Sequence, residues 1–240
     1  AALHAGWGAA AEAPRPGRQE ILKLPPGPSL AARRVTVWLP PDFDSRQGHA
    51  ALYMHDGQML FDPAGTWNGK AWQIDLTAAA LLASRQLRPF IIIGIDNDPQ
   101  RRHAEYFPQA ALDLLQPPAL RSQFIAQALG GRPAADAYLR FIAETVKPAV
   151  DSRYPTLPGR SHTFTMGSSM GGLVSLYAMC EYPQIFGGAA ALSTHWIGSI
   201  DRNTDIPDAL LGYLQLKLPP APSVRLYLDR GTEGLDALYD

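Results

Sequence analysis

Hydrophobic and polar residues follow two kinds of pattern along this chain. Short apolar or alternating runs bounded by Gly, Pro or polar residues indicate strands at residues 33–40, 51–55, 89–95, 186–192 and 223–229. The run at 89–95 is continuous, which is typical of a strand buried on both faces. Segments 71–87 and 134–150 have helical composition or spacing. Strands that alternate with helices predict an α/β fold with a mostly parallel central sheet flanked by helices.

A candidate nucleophile lies in the stretch FTMGSSMGGLVSL, residues 164–176. A nucleophile elbow reads G-x-S-x-G at a sharp turn between a strand and a helix, and Ser169 has Gly167 and Gly171 at the required positions. Ser168 fails this test because methionines occupy the same positions around it. A β-prone run precedes the turn and a helical pattern follows it, as the motif requires. The alternative interpretation is a Gly-Ser loop that only packs a helix against a strand.

Composition narrows the class of protein. A chain of 240 residues with 46% hydrophobic and 18% charged residues is long enough to bury a full core and is not of the disordered type. The net charge of −1 gives no indication of the basic surface that nucleic-acid-binding proteins present. No apolar stretch approaches the roughly 20 residues of a membrane span. The single Cys180 cannot form an internal disulfide, and no Cys/His cluster has zinc spacing, so we expect no metal and no cofactor.

The N-terminal segment differs in composition from the rest. Residues 1–20 are rich in Ala, Gly and Pro, and we interpret them as a flexible leader ahead of a single α/β domain at 21–240. The first residue is not Met, as in an exported protein cut after a small residue, although a chain trimmed at its start for expression would look the same. We favour a periplasmic or secreted protein over a cytoplasmic one. The Pro-rich segments 112–123 and 216–223 are interpreted as connections.

Polar segments follow the predicted strands. Ligands of a parallel sheet bind outside the carboxyl ends of its strands, so these segments are expected to converge at one end of the sheet. They are residues 55–62, 96–108, 167–172, 193–199 and 229–236.

These motifs carry a family resemblance. The segments YMHDGQMLFD, GKAWQID, GIDNDPQRRHAEYFP, RYPTLPGRSHTFTMGSSMGGLVSLYA and LYLDRGTEGLD occur in this order. Together they resemble the esterase D / enterochelin esterase-like family of α/β-hydrolases, over nearly the whole chain from about residue 33. The resemblance implies an α/β-hydrolase fold, Ser169 as nucleophile, and an oxyanion hole formed by the backbone amides of Met170 and Gln58. For His55 and Asp56 we expect a structural role in holding the loop after the third strand.

The acid of a catalytic triad is expected after the last predicted strand. The resemblance implies an Asp two positions after a Gly-Thr pair, but Gly234 occupies that position. The candidates are therefore Glu233 and Asp236. We favour Asp236 because an apolar pair follows it, as in the family. We expect Asp229, at the strand end, to cap or pair structurally.

The catalytic base presents a departure from the family pattern. In this fold the triad runs Ser, then acid, then His, yet the histidines lie at 4, 49, 55, 103, 162 and 195, all before Asp236. The simplest interpretation is that the C-terminal, His-bearing segment is missing from these residues. The alternatives are that His195 serves as base, or that the protein is not a hydrolase.

Other side chains are candidates for the substrate pocket. His195 and Trp196 follow the strand next to the elbow, and we expect His195 to form part of the pocket wall. Arg102 and Glu105 lie in a segment that lines the pocket by resemblance, although they could instead pair with each other as a structural ion pair.

Two function classes follow. The first is a serine carboxylic-ester hydrolase that acts through an acyl-enzyme on a small, siderophore-type or sugar-type ester. The second is a catalytically incomplete α/β-hydrolase scaffold that acts as a binding protein. An acyltransferase would use the same chemistry with an alcohol in place of water. The expected partner is a small-molecule ester, and the sequence does not address the oligomeric state.

Overall fold

One sheet organises the chain in the computed structural model, which describes residues 16–199, 203–233 and 236. Its strands are β1 (Arg18–Leu22), β2 (Val35–Leu39), β3 (Ala50–His55), β4 (Phe90–Ile95), β5 (Thr163–Ser168), β6 (Gly188–Leu192) and β7 (Arg225–Leu228). The spatial order is β1-β2-β4-β3-β5-β6-β7. The β1–β2 and β2–β4 pairs are antiparallel, and the other neighbours are parallel. The mostly parallel sheet predicted from the strand and helix patterns is confirmed.

Helices flank this sheet. They are α1 (Ile74–Ala83), α2 (Arg102–Tyr106), α3 (Pro118–Ala128), α4 (Ala135–Phe141), α5 (Lys147–Arg153), α6 (Met170–Glu181) and α7 (Asp205–Lys217). Short 3₁₀ turns at 57–59, 63–65, 109–114 and 160–162 lie in the connections. None of the described helices combines the length and hydropathy that a bilayer crossing requires.

Strand β4 shows why a continuous apolar run was required. Ile91 and Ile93 are fully buried in the cluster that includes Tyr106 of α2 and Val174 of α6. Ile92 points to the opposite face, where it packs with Ala78 of α1. Because successive side chains of a strand alternate between faces, a strand covered on both sides needs apolar residues at every position.

The α1 face of the sheet is covered unevenly. Leu52, Phe164, Gly188 and Arg225 lie in register across β3, β5, β6 and β7, and with neighbouring residues they line an open groove of about 270 Å³. Tyr227, which also lines the groove, is 57% exposed. In the described residues β4 is therefore covered on both faces, whereas the α1 face is partly open from β3 to β7.

Three sequence-based boundaries differ from the structure. Strand β1 begins at Arg18, inside the predicted leader 1–20, because its residues pair with β2; residues 1–15 lie outside the described part. The predicted connection 112–123 runs into α3, which starts at Pro118, where a proline is tolerated in a first helical turn.

The predicted helix 134–150 is interrupted by a π-helical turn at Ile142–Val146 before α5. Pro148, in the first turn of α5, has no backbone N–H and crowds the carbonyl of Glu144, so the α-helical ladder cannot pass straight through.

Candidate active site

Ser169 occupies a strained turn between β5 and α6. Its φ of 58° and ψ of −120° lie outside the regions that non-glycine residues ordinarily adopt. The turn is held on both sides, since the Ser169 N–H donates to Leu192 O at 2.9 Å and its carbonyl accepts from the Gly172 N–H at 3.0 Å. Ser169 therefore stands at the carboxyl ends of the strands, where the sequence predicted a nucleophile.

The glycines of the turn allow the helix to begin directly against the strand. A Cβ on Gly167 would meet the carbonyl oxygen of Gly171 at 2.5 Å, and one on Gly172 would meet Thr194 Oγ1 at 2.6 Å. Both contacts are closer than real Cβ atoms allow, and at Gly167 the neighbour is backbone and cannot rotate away. The glycine spacing thus reflects a close approach of two backbone segments.

The two residues expected to supply oxyanion donors lie in the first turns of different helical elements. Met170 is the first residue of α6, and Gln58 lies in the 3₁₀ turn Gly57–Met59 that follows β3. The N–H groups of a first helical turn have no acceptor in their own helix. The amides of Met170 and Gln58 thus lack an acceptor within their own helical turns.

A cleft of about 660 Å³ joins these elements. It is lined by Asp56, Gln58, Met59, Gly65, Trp67, Trp72, Asn97, Pro99, Arg102, Ser168 and Ser169. Its charged lining residues are Asp56 and Arg102, which form an ion pair with Nε–Oδ1 at 2.7 Å and Nη2–Oδ2 at 2.8 Å. The charge of one side chain offsets that of the other, so the cleft suits an uncharged ligand.

His55 supports the floor of this cleft from the core. Its ring nitrogens hydrogen-bond to Tyr138 Oη at 2.8 Å and to Thr165 Oγ1 at 3.1 Å. Burial lowers the pKa of His55 to about 4, against a partial opposing effect of Asp56, so the imidazole is neutral at neutral pH. This arrangement agrees with a structural role in holding the loop.

Glu105 does not reach the cleft, and the ion pair considered between Arg102 and Glu105 does not form. Glu105 is buried and accepts two hydrogen bonds from Arg33, at 2.7 and 2.8 Å. The physical reason is that a buried carboxylate loses its hydration and needs an opposite charge and hydrogen-bond donors in its place. The Arg33 guanidinium supplies both, with one donor to each oxygen. Arg102 pairs with Asp56 instead and does line the cleft.

His195 and Trp196 follow β6 as expected, but neither is among the residues that line the cleft. The His195 amide donates to the Ser169 carbonyl at 3.3 Å. Its ring lies near His103 and bonds to the backbone of Ser199; burial and then His103 lower the pKa of His195. Trp196 packs with the hydrophobic residues of α6 and α7, because the chain turns tightly after β6.

The two acid candidates occupy different environments. The half-buried Asp236 accepts a hydrogen bond from the Gly231 N–H at 2.6 Å, and Glu233 is exposed. Asp229 accepts from the Ser193 N–H at 2.9 Å, which is the structural role expected of it. None of the residues that follow Asp236 in the 240-residue sequence is a histidine, so a base from that part of the chain stays a prediction. These facts leave the identity of the acid a prediction that favours Asp236.

Comparison with known proteins decides the family. Residues 31–236 match the sequence model of the Esterase family, described as "Putative esterase". The chain belongs to this family.

Curated relatives of this esterase-family chain come from Bacillus subtilis (strain 168). The uncharacterized protein YbbA is 30% identical over 166 residues, which are 68% of this chain and 58% of the relative. The uncharacterized protein YjcH is 26% identical over 177 residues, 72% of this chain and 61% of the relative. The chain thus spans only 58% and 61% of the length of these two relatives.

Solved structures share the fold. The enterobactin esterase FES from Shigella flexneri superposes with a TM-score of 0.60 at 20% identity, covering 90% of this chain and 46% of that one. A ferulic acid esterase superposes with a TM-score of 0.61 at 18% identity, covering 92% and 82%. The α/β-hydrolase fold and the esterase-family resemblance expected from the motifs are confirmed.

Several residues that line the cleft of this esterase-family member were not among the site residues predicted from the sequence. Trp67 and Trp72 line the cleft, and Trp67 is 88% exposed. Asn97 donates two hydrogen bonds, from its side-chain Nδ2 to Asp56 Oδ1 and from its backbone N–H to Gln58 Oε1. The two tryptophans in the polar segment TWNGKAW were a usable signal, because a polar loop rarely needs a large exposed aromatic side chain.

Proposed function

We propose that the protein is a serine carboxylic-ester hydrolase that acts through an acyl-enzyme on Ser169. The observation that carries the proposal is the strained turn at Ser169, which shares one cleft with the first-turn amide of Gln58. A non-glycine residue in such a conformation costs about 1–3 kcal/mol, and proteins retain that strain mainly at functional sites.

The proposed reaction has two steps. Ser169 Oγ bonds to the ester carbonyl carbon, its proton passes to a general base, and the alcohol leaves with a proton. Water then attacks the acyl carbon and gives a proton to the base, the bond between that carbon and Ser169 Oγ breaks, Oγ takes the proton back from the base, and the carboxylic acid leaves. In both steps the amides of Met170 and Gln58 would donate to the oxyanion, and one such donor contributes about 3–4 kcal/mol to lowering the barrier.

The proposal also assigns the general base and the acid of the catalytic triad. Chain order in this fold assigns the base to a histidine that follows the acid, and we assign the acid to Asp236. The acid orients the histidine ring and stabilises its protonated form. His195 is the alternative base, since its backbone already contacts Ser169.

The proposed substrate is a small, uncharged ester of siderophore or sugar type. The ion pair between Asp56 and Arg102 leaves the cleft with no net charge among its lining residues, which supports an uncharged ligand. The structural neighbours include an enterobactin esterase and a ferulic acid esterase, whose names support an ester of this size.

A test of the proposal compares the two adjacent serines. The protein is treated with a fluorophosphonate probe, and hydrolysis of a short-chain p-nitrophenyl ester is measured in parallel. Ser169→Ala should abolish labelling and lower turnover at least about 10³-fold, while Ser168→Ala should keep both. Labelling of Ser169→Ala at the rate of the unaltered protein would contradict the proposal.

A binding scaffold is the second candidate, and one observation favours it. The Asp236 carboxylate is bonded to the amide of Gly231 within its own loop. A scaffold would bind the ester without labelling or turnover, so the same experiment separates the two. An acyltransferase would label like the hydrolase but release the acyl group faster when an alcohol is added.

A further inference from the structure

Asp56 joins the loop after β3 to the segment after β4. Besides its ion pair with Arg102, its Oδ1 accepts a hydrogen bond from Asn97 Nδ2 at 2.5 Å. Its own N–H donates to Tyr106 Oη at 3.0 Å. Both the side chain and the backbone of Asp56 are therefore held by residues more than 40 positions away, and its position does not depend on its neighbours alone.

The backbone at Asp56 needs this support. Asp56 has φ 57° and ψ 46°, a left-handed conformation that non-glycine residues adopt only at a cost, although Asp tolerates it better than most. This turn starts the 3₁₀ helix Gly57–Met59 and so sets the direction of the Gln58 amide. A change at Asp56 would therefore be transmitted directly to that amide.

Asp56 also touches the elbow. A Cβ on Gly171 would lie 3.3 Å from Asp56 Oδ2, so the carboxylate packs against the first turn of α6. Asp56 therefore contacts the first turn of α6, which begins at Met170, and its backbone starts the turn that holds Gln58. A change in the orientation of Asp56 would be felt by both segments.

Arg102 orients this carboxylate. Its Nε and Nη2 donate to the two oxygens of Asp56, and its guanidinium carbon lies 5.1 Å from the centre of the Tyr106 ring. A bidentate pair fixes the rotation of a carboxylate as well as its place. Two of the donors of Arg102 are thus used within the protein rather than offered to a ligand.

We propose that Arg102 is a positioning residue for the oxyanion hole, acting through Asp56 to hold the Gln58 amide in line with Ser169. This inference rests on the proposed ester hydrolysis and replaces substrate binding as the main role of Arg102. It predicts an effect on the chemical step rather than on substrate affinity. A substrate-binding arginine would instead raise KM and leave kcat nearly unchanged.

The experiment uses Arg102→Gln and Arg102→Lys, with Arg101→Gln as the matched control. Arg101 is the preceding residue and donates to the carbonyl of Arg132, outside the cleft. Arg102→Gln should lower kcat for a p-nitrophenyl ester about 10- to 100-fold with KM changed less than about 3-fold, because an ångström-scale displacement of reacting groups has this effect. The kcat of Arg102→Lys should lie between those of Arg102→Gln and the unaltered protein. Lysine keeps the charge, but an ammonium cannot bridge both carboxylate oxygens as a guanidinium does.

A second measurement is independent of catalysis. Hydrogen exchange of the backbone amides in residues 55–60 should become at least about 10-fold faster in Arg102→Gln, while exchange in β4 (residues 90–95) stays unchanged. Unchanged exchange in 55–60 would overturn the proposal, and so would a rise in KM at constant kcat. Exchange does not require turnover. Faster exchange in Arg102→Gln, together with no ester hydrolysis by the unaltered protein, would therefore count against the hydrolase proposal only, which the Ser169→Ala comparison tests separately.

Asp56→Asn keeps the proposal falsifiable if Arg102→Gln folds poorly. Asn also tolerates the left-handed conformation but loses the charge that orients Arg102. It should reproduce the loss of kcat and the faster exchange in 55–60. A fully active, folded Asp56→Asn protein with unchanged exchange would overturn the role of the pair.

Discussion

The loop after β3 and the loop after β7 both follow the carboxyl ends of parallel strands, but they are held by different means. The β3 loop begins at the buried ring of His55, which is bonded to Tyr138 and Thr165 across the core. Among the described residues, the β7 loop follows a strand whose residues are all exposed, and Asp236 is bonded to Gly231 within the same loop.

The candidate site therefore contains one loop that is held by residues distant in the chain and another that is held by a bond within itself. Bonds to residues far apart in the chain hold the β3 loop, in which the proposed oxyanion donor Gln58 lies. Among the described residues, a bond within the loop itself holds Asp236, the proposed acid. We therefore expect the two halves of the proposed site to respond differently to mutation.

The largest expected effect lies in the β7 loop and would assign the acid. Asp236→Asn should lower kcat/KM about 10³- to 10⁴-fold, because an amide cannot orient and stabilise a protonated histidine. Glu233→Gln should stay within about 3-fold, since Glu233 is exposed. The measurement is steady-state hydrolysis of a p-nitrophenyl ester by the natural protein. Equal losses in the two variants, or a larger loss for Glu233→Gln, would reject Asp236 as the acid.

The elbow provides the largest expected effect on stability. Gly167→Ala should reduce the free energy of unfolding by about 3 kcal/mol, because its Cβ meets backbone atoms of Gly171. Gly159→Ala is the control, since a Cβ there meets nothing within 4 Å, and its φ of −69° suits alanine. It should be neutral or stabilising by about 0.5 kcal/mol in urea unfolding. Similar destabilisation by both changes would remove the close-approach argument for the elbow.

The contribution of His55, at the end of β3, to the free energy of unfolding should fall as the pH is lowered through a defined range. Burial lowers the pKa of His55 to about 4, while the same group titrates near 6.5 when unfolded, so the unfolded chain binds the proton more readily. Its contribution to stability is complete above pH 6.5 and is lost as the pH falls towards 4, in total about 3 kcal/mol.

Urea unfolding across this window tests the assignment. The free energy of unfolding of the natural protein should fall between about pH 6.5 and pH 4.5, and part of that fall should be absent in His55→Gln. His55→Gln should also be less stable at neutral pH, because the bonds to Tyr138 and Thr165 are altered. Parallel pH profiles for the two proteins would show that His55 does not titrate on unfolding.

The smallest expected effect concerns Trp67, on the segment between the β3 loop and α1. Trp67→Ala should raise KM about 3- to 10-fold for an ester with a ring and leave the melting temperature unchanged, because the side chain is 88% exposed. Leu216→Ala, on α7 and 72% exposed, is the control and should alter neither quantity. A melting temperature lowered by several degrees would mean that Trp67 serves the fold instead of the cleft.

The sequence alone determined the features that depend on local pattern. The G-x-S-x-G spacing located the strained turn at Ser169, because a close approach of backbone segments leaves room only for glycine at Gly167. The continuous apolar run at Phe90–Ile95 identified a strand buried on both faces, because side-chain direction alternates along any strand.

Tertiary structure alone decided which charged side chains meet. Arg102 could have paired with Glu105, three residues away, but it pairs with Asp56, and Glu105 pairs with Arg33. Long side chains can reach several partners, and the choice depends on which carboxylate the packed core leaves buried and within a few ångströms. Contacts between distant segments also decide the place of Trp196, whose ring packs against α6 and α7. Such choices are set by contacts between segments far apart in the chain, and no local pattern of residues records them.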